Sequence, residues 1–273
     1  MVGSMVQRPT RRLRVLCLHG MYQNGAVFAA KTAHLRRGQD TQAEFIYVDG
    51  PFTVVPKIIS QRKAPPVNGT GGTSQPTQQR VRCGKRHEEF RSWWRPASGS
   101  LHVSDTQLDD DREVLVDFLH TKLRELGDID GVMGFSQGAS LASWMCTQQA
   151  RQELRWSPQL AILIGSYVGP DQYNMASGIL PDVASLHMFG SNDHVISAAR
   201  SQKVVEMFQQ VQPRDDHVAT SVHIQGHVIP KSDDVLSLFH SFLRQQQQRV
   251  ATSTTPFASA LQETALLEHR ARP

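Results

Sequence analysis

The stretch Gly131-Val132-Met133-Gly134-Phe135-Ser136-Gln137-Gly138-Ala139-Ser140 narrows the folds open to this chain more than any other. An apolar, strand-like run ends in Gly134-x-Ser136-x-Gly138, and small residues with Leu141-Ala142 follow as a helix would require. A serine at so sharp a strand-to-helix turn has a strained backbone. Side chains two residues to either side would collide with neighbouring main chain, so both glycines are needed. The turn pushes the Ser136 hydroxyl out above the sheet and beside the free amides of a helix N-terminus, a setting that suits an oxyanion. Taken alone, the same pattern also fits a plain strand-helix turn.

The surrounding chain alternates strand and helix. Leu13–Leu18 reads as a β-strand ending in His19-Gly20 and the polar loop Met21-Tyr22-Gln23-Asn24-Gly25. A helical pattern follows from Val27 to about Arg37, and Glu44–Val48 reads as the next strand, stopped by Gly50-Pro51. Residues 61–82 are dominated by Gln, Pro, Gly, Thr, Ser and Arg, a composition that cannot repay the entropy of ordering, so a low-complexity insertion is expected there. Trp93-Trp94, between arginines and ahead of a helix, suits either an apolar substrate cleft or a hydrophobic plug. A helix within Ser104–Leu126 carries Asp109-Asp110-Asp111 near its N-terminus, where the helix dipole favours acids, so that run is read as a helix start and not a metal site. The elbow strand and a helix to about Gln149 come next. Then follow strands at Leu160–Tyr167, Ser185–Asp193 and His217–Ile224, with helices at Ala198–Val211 and Val235–Leu243.

This order predicts an α/β fold with a mainly parallel sheet and helices on both faces, whose sites lie beyond the C-terminal ends of the strands. Four pieces fall at such ends: the His19-Gly20-Met21 loop, Ser136, Asp193 and His227. Serine, then aspartate, then histidine is the chain order of the α/β-hydrolases, and it differs from two common protease orders. Ser136 is thus the candidate nucleophile, His227 its general base and Asp193 the carboxylate that orients the imidazole. The main-chain amides of Met21 and Gln137 are the candidate oxyanion donors. Tyr22, Trp93 and Trp94 are candidate pocket residues. His194 adjoins Asp193 and His223 lies inside a strand, so neither suits the base. His87-Glu88-Glu89 lacks the second histidine of a zinc peptidase, and no metal or organic cofactor is required.

The length of 273 residues fits one such domain, with a basic extension at 1–12, the main domain at 13–244 and a Gln/Ser/Thr-rich tail at 245–273. A net charge of +4 with scattered basic residues leaves no nucleic-acid footprint, and no apolar run approaches the ~18 residues of a membrane span. The chain reads as cytoplasmic, although the first acidic residue is Asp40, which leaves a short organellar presequence open. Cys17 and Cys146 fall in a strand and a helix as small core residues, and Cys83 leaves the cysteines an odd set that cannot all pair. The oligomeric state stays open.

Leu18–Gly25, Asp130–Ala139, Phe189-Gly190-Ser191-Asn192-Asp193 and Gly226-His227-Val228-Ile229-Pro230 together resemble the FSH family of serine hydrolases, and Arg91-Ser92-Trp93-Trp94 is similar to that family's Arg-x-Trp-aromatic segment. The resemblance covers about residues 13–243. It implies an α/β-hydrolase without a large cap domain, acting on small-molecule acyl esters or thioesters, with Ser136, Asp193 and His227 as its triad. Two alternatives stand beside a carboxylesterase: an acyl-thioesterase that releases carrier-bound acyl or polyketide chains, and a non-catalytic binding protein of the same fold.

Overall fold

In β1 (Leu13–Leu18), Leu13, Val15 and Cys17 pack into one apolar cluster and Leu16 and Leu18 into another, all fully buried. Period-two alternation of apolar residues on both sides demands cover on both sides. The computed structural model, which describes residues 11–54, 89–95, 105–211 and 217–253, meets that demand with helices on each face. The 61–82 insertion, His87 and Cys83 lie outside the described residues.

The sheet has six strands, β1 with β2 (Ala43–Val48), β5 (Gly131–Phe135), β6 (Leu160–Ile164), β7 (Ala184–Gly190) and β8 (Val218–His223), in the order β2-β1-β5-β6-β7-β8. Every neighbouring pair is parallel. Two-residue strands β3 (Phe52–Thr53) and β4 (Arg91–Ser92) form a separate antiparallel pair. One face is covered by α1 (Gly25–Lys31), α2 (Ala33–Arg36) and α7 (Asp233–Ser253), through Phe28, Leu35, Phe239 and Leu243. The other is covered by α3 (Asp105–Leu126), α4 (Gln137–Met145), α5 (Gln148–Leu154) and α6 (Ala198–Gln209), through Leu119, Leu141, Leu154 and Phe208.

Four local features depart from the expected pattern. The helix predicted from Val27 to Arg37 starts at Gly25, capped by the Asn24 side chain, and breaks at Thr32, whose hydroxyl donates to the Phe28 carbonyl at 2.9 Å. The elbow helix stops at Cys146, and Thr147 caps α5 by accepting from the Ala150 amide. The last helix runs to Ser253, so the polar segment from Gln245 is not a tail over that span. Phe239, Phe242, Leu243, Gln246, Gln247 and Val250 share one buried helical face, and the Gln247 amide donates to the carbonyls of Arg11 and Thr41. Asp111 is more than a helix-start charge. It is fully buried on α3 and accepts from the main-chain amide and the guanidinium of Arg95, fixing the segment that carries the two tryptophans.

Candidate active site

Ser136 joins β5 to α4 with φ 54° and ψ −117°. Tyr22, Ser136 and Arg155 are the non-glycine residues with positive φ among the described residues, and the first two line one cavity. Backbone strain persists where surroundings over-determine it. Here the Ser136 amide donates to the Ile164 carbonyl at 2.9 Å, and its carbonyl accepts from Ser140. The two glycines act as expected: a Cβ on Gly134 would run into the Gly138 carbonyl, and one on Gly138 into the carbonyls of Leu18 and His19.

Asp193, after β7, and His227, after β8, are brought together by parallel pairing of those strands. The carboxylate Oδ2 accepts from His227 Nδ1 at 2.6 Å, while Oδ1 accepts the amides of Val195 and Ile196 at 2.8 and 2.9 Å. Burial works against the charge of Asp193, but those amides and the imidazole outweigh it and hold the carboxyl below its ordinary range. With the Nδ1 proton committed to Asp193, a neutral His227 carries its lone pair on Nε2. That nitrogen has no hydrogen-bond partner among the described residues, so Ser136 is not hydrogen-bonded to it in this arrangement. The ring lies against Phe135, with centroids 4.9 Å apart, and over Gly165, where a Cβ would come within 3.2 Å of it. His223 is buried on β8, and His194 is exposed.

The opposite wall is the loop after β1. His19 is buried, and its Nε2 accepts the Gly50 amide at 2.9 Å, so its Nδ1 proton goes to the Gly20 carbonyl at 2.8 Å. Met21, Tyr22 and Gln137 line the cavity with Ser136 and His227. Neither the Met21 nor the Gln137 main-chain amide makes a hydrogen bond among the described residues.

Trp93 and Trp94 are placed otherwise than a pocket requires. Both are buried, and neither lines the cavity. The Trp93 indole donates to the His19 carbonyl at 2.7 Å, and Trp94 stacks on Tyr173. The Gln137 side chain accepts from the Trp93 amide at 3.0 Å and donates to the Trp94 carbonyl at 2.9 Å. The pair therefore plugs the space between elbow and His19 loop, which explains its apolar character without a substrate. Sequence reasoning left this role of the Gln137 side chain unseen, because a glutamine after a serine carries no signal of its distant partner.

The cavity has a volume of about 940 Å³. It is also lined by Tyr167, Val195, Ile196, Val228 and Ile229, and by four basic residues that no sequence motif marks, Lys31, His34, Arg37 and Lys231. Among the described residues, no group of His, Cys, Asp and Glu could hold a metal ion, and no helix is long and apolar enough to cross a membrane. Cys17 and Cys146 are buried, and burial pushes both thiols well up.

Comparison with known proteins gives the same picture at three levels. The sequence pattern of the family described as Serine hydrolase (FSH1) matches residues 8–238. Esterase OVCA2 of Danio rerio is 29% identical over 241 residues, covering 86% of this chain and 98% of that protein. The Bacillus cereus carboxylesterase structure superposes with a TM-score of 0.57 at 15% identity, over 88% of this chain and 92% of that one. The acyl-protein thioesterase 2 structure of Zea mays gives 0.51 at 19% identity, over 87% and 97%.

Proposed function

The chain belongs to the FSH1 family of serine hydrolases and is an enzyme of the α/β-hydrolase fold, and from that premise we propose that it cleaves carboxylic esters or thioesters through an acyl-enzyme on Ser136. The observation that carries this reading is the shared cavity: a strained Ser136 faces it together with His227, whose Nδ1 is bonded to Asp193 while its Nε2 is unpartnered.

In this reaction His227 Nε2 takes the Ser136 proton as Oγ attacks the acyl carbonyl. Proton transfer requires Ser136 Oγ to come within hydrogen-bond reach of His227 Nε2 in the Michaelis complex. Asp193 keeps the imidazole in the required tautomer and stabilises the imidazolium. The unpartnered amides of Met21 and Gln137 receive the oxyanion. The leaving alcohol or thiol takes the proton back from His227, and a water activated by the same nitrogen then hydrolyses the acyl-serine. No metal or organic cofactor enters the chemistry. A fluorophosphonate probe tests the proposal directly. It should label the wild-type protein at Ser136 and fail to label Ser136→Ala, and an unlabelled wild type would refute the assignment.

A further inference from the structure

The cavity walls are charged in one sense. Lys31, Arg37 and Lys231 all line it, His34 lies among them, and no aspartate or glutamate does. None of the three cations has an ion-pair partner among the described residues, although six Arg or Lys ion pairs occur there. Asp49 is used elsewhere, accepting the Gly25 amide at 2.7 Å.

These cations come from two distant parts of the chain. Ala30, Ala33, His34 and Arg37 recur at helical spacing, so one face of α1 and α2 borders the cavity, with alanines leaving room beneath longer basic side chains. Lys231 arrives from the segment after His227. His34 Nε2 meets the Pro230 carbonyl at 2.8 Å, which ties that segment to α2 and sets Lys231 beside the basic helix face. All three cations are exposed, so solvent screens their mutual repulsion and leaves their charge available to an anion that enters the cavity. The remaining wall is apolar, through Val195, Ile196, Val228 and Ile229, and Val195 is 64% exposed.

We propose that the substrate carries a fixed negative charge remote from the scissile carbonyl, held by Lys31, Arg37 and Lys231 while apolar parts lie on Val195 and Val228. This rests on the reading of Ser136 as nucleophile. The shared chemistry is a carboxylate or phosphate, borne by either the acyl group or the leaving group.

Two substrate pairs separate these sources. 4-Nitrophenyl hemiglutarate against 4-nitrophenyl butyrate places the charge on the acyl side. Butyryl-coenzyme A against the neutral butyryl thioester of N-acetylcysteamine places it on the leaving group. The anionic member of at least one pair should have a kcat/KM about tenfold higher at low salt, with the advantage falling as ionic strength rises. In K31Q/R37Q/K231Q that ratio should collapse towards one. Direct binding of butyryl-coenzyme A and of glutarate to Ser136→Ala, with and without the triple substitution, reads the same site without catalysis. Binding lost with the triple substitution supports the site even if turnover fails and the nucleophile assignment with it. Absence of any anionic preference in both pairs, or a preference that survives the triple variant, would overturn the proposal.

Discussion

The two sides of the Ser136 cavity are held by different means. On the serine side, buried hydrogen bonds join Gln137 to both tryptophans, Trp93 to His19 and His19 to Gly50, and Asp111 anchors Arg95 just beyond. On the histidine side, the His227 ring is hydrogen-bonded only to Asp193 among the described residues, and the chain around it shows Ile224 82% exposed and Val228 45% exposed. The serine side is a wall built by folding, which suits amides that must stand still while charge develops. The histidine side is oriented by one charge-assisted bond and left free at Nε2, which suits a group that must accept and return a proton. Substitutions on the first side should therefore act through stability, and those on the second through chemistry.

The largest expected effect lies on the second side. His227→Ala and Asp193→Asn should each lower kcat by roughly 10³-fold or more, and the double variant should be little worse than the worse single one, because a triad acts as a unit. The melting temperature of His227→Ala should stay close to wild type. A steady-state assay on a short acyl ester, with calorimetry in parallel, decides it, and near-normal turnover in either variant would break the comparison.

Trp93→Ala should do the reverse. Loss of a fully buried indole costs about 3–5 kcal/mol of stability. Measured by denaturant unfolding, that loss should come with an unchanged acyl-chain-length profile from acetyl to long acyl esters. A selective loss for long chains would return the tryptophans to the substrate.

Gln137→Ala leaves the Trp93 amide and Trp94 carbonyl unpaired in the interior, at about 1–3 kcal/mol. It should lower kcat as well, since the brace positions the residue whose amide is proposed to meet the oxyanion. Unchanged stability would show that the brace is dispensable.

The smallest effect is a pH dependence. The Asp193 carboxyl titrates below its ordinary range in the folded protein, so its charge contributes stability above the unfolded-chain value near 3.9 and loses it as pH falls through the lower folded value. The stability gap between wild type and Asp193→Asn should shrink as pH drops below about 4. A gap that widens there would contradict the geometry.

How much of this was legible in the sequence follows from the range of each signal. The sheet was readable because Leu13–Leu18, Gly131–Phe135 and Leu160–Ile164 carry local apolar runs, and the elbow because Gly134 answers to a steric need within four residues, whereas Gly138 makes room for the distant Leu18 and His19 carbonyls. Of the cavity's lining, the motifs marked Met21, Tyr22, Ser136, Gln137 and His227, and they marked Asp193 behind the imidazole. Trp93 and Trp94 were ambiguous because an apolar pair looks the same in a cleft as in a core, and only their contacts with His19 and Gln137 distinguish the two. The extension of α7 was hidden by glutamines, since the partners of the buried Gln247, the Arg11 and Thr41 carbonyls, lie more than 200 positions away. The basic wall was equally silent, since Lys31 and Lys231 meet only through the fold.

The strand order β2-β1-β5-β6-β7-β8 also bears on how the molecule is made. After the first pair, each new strand of the main sheet adds to the same growing edge in the order in which a ribosome would deliver it. A nascent chain that has released β5, α4 and β6 has the partners that hold the serine turn, but the strands that precede Asp193 and His227 are the last two to arrive. Partly made copies thus expose an unpaired parallel edge while lacking both His227 and the carboxylate that orients it. Under the proposed mechanism, Ser136 gains its base only when the sheet's final edge is laid down.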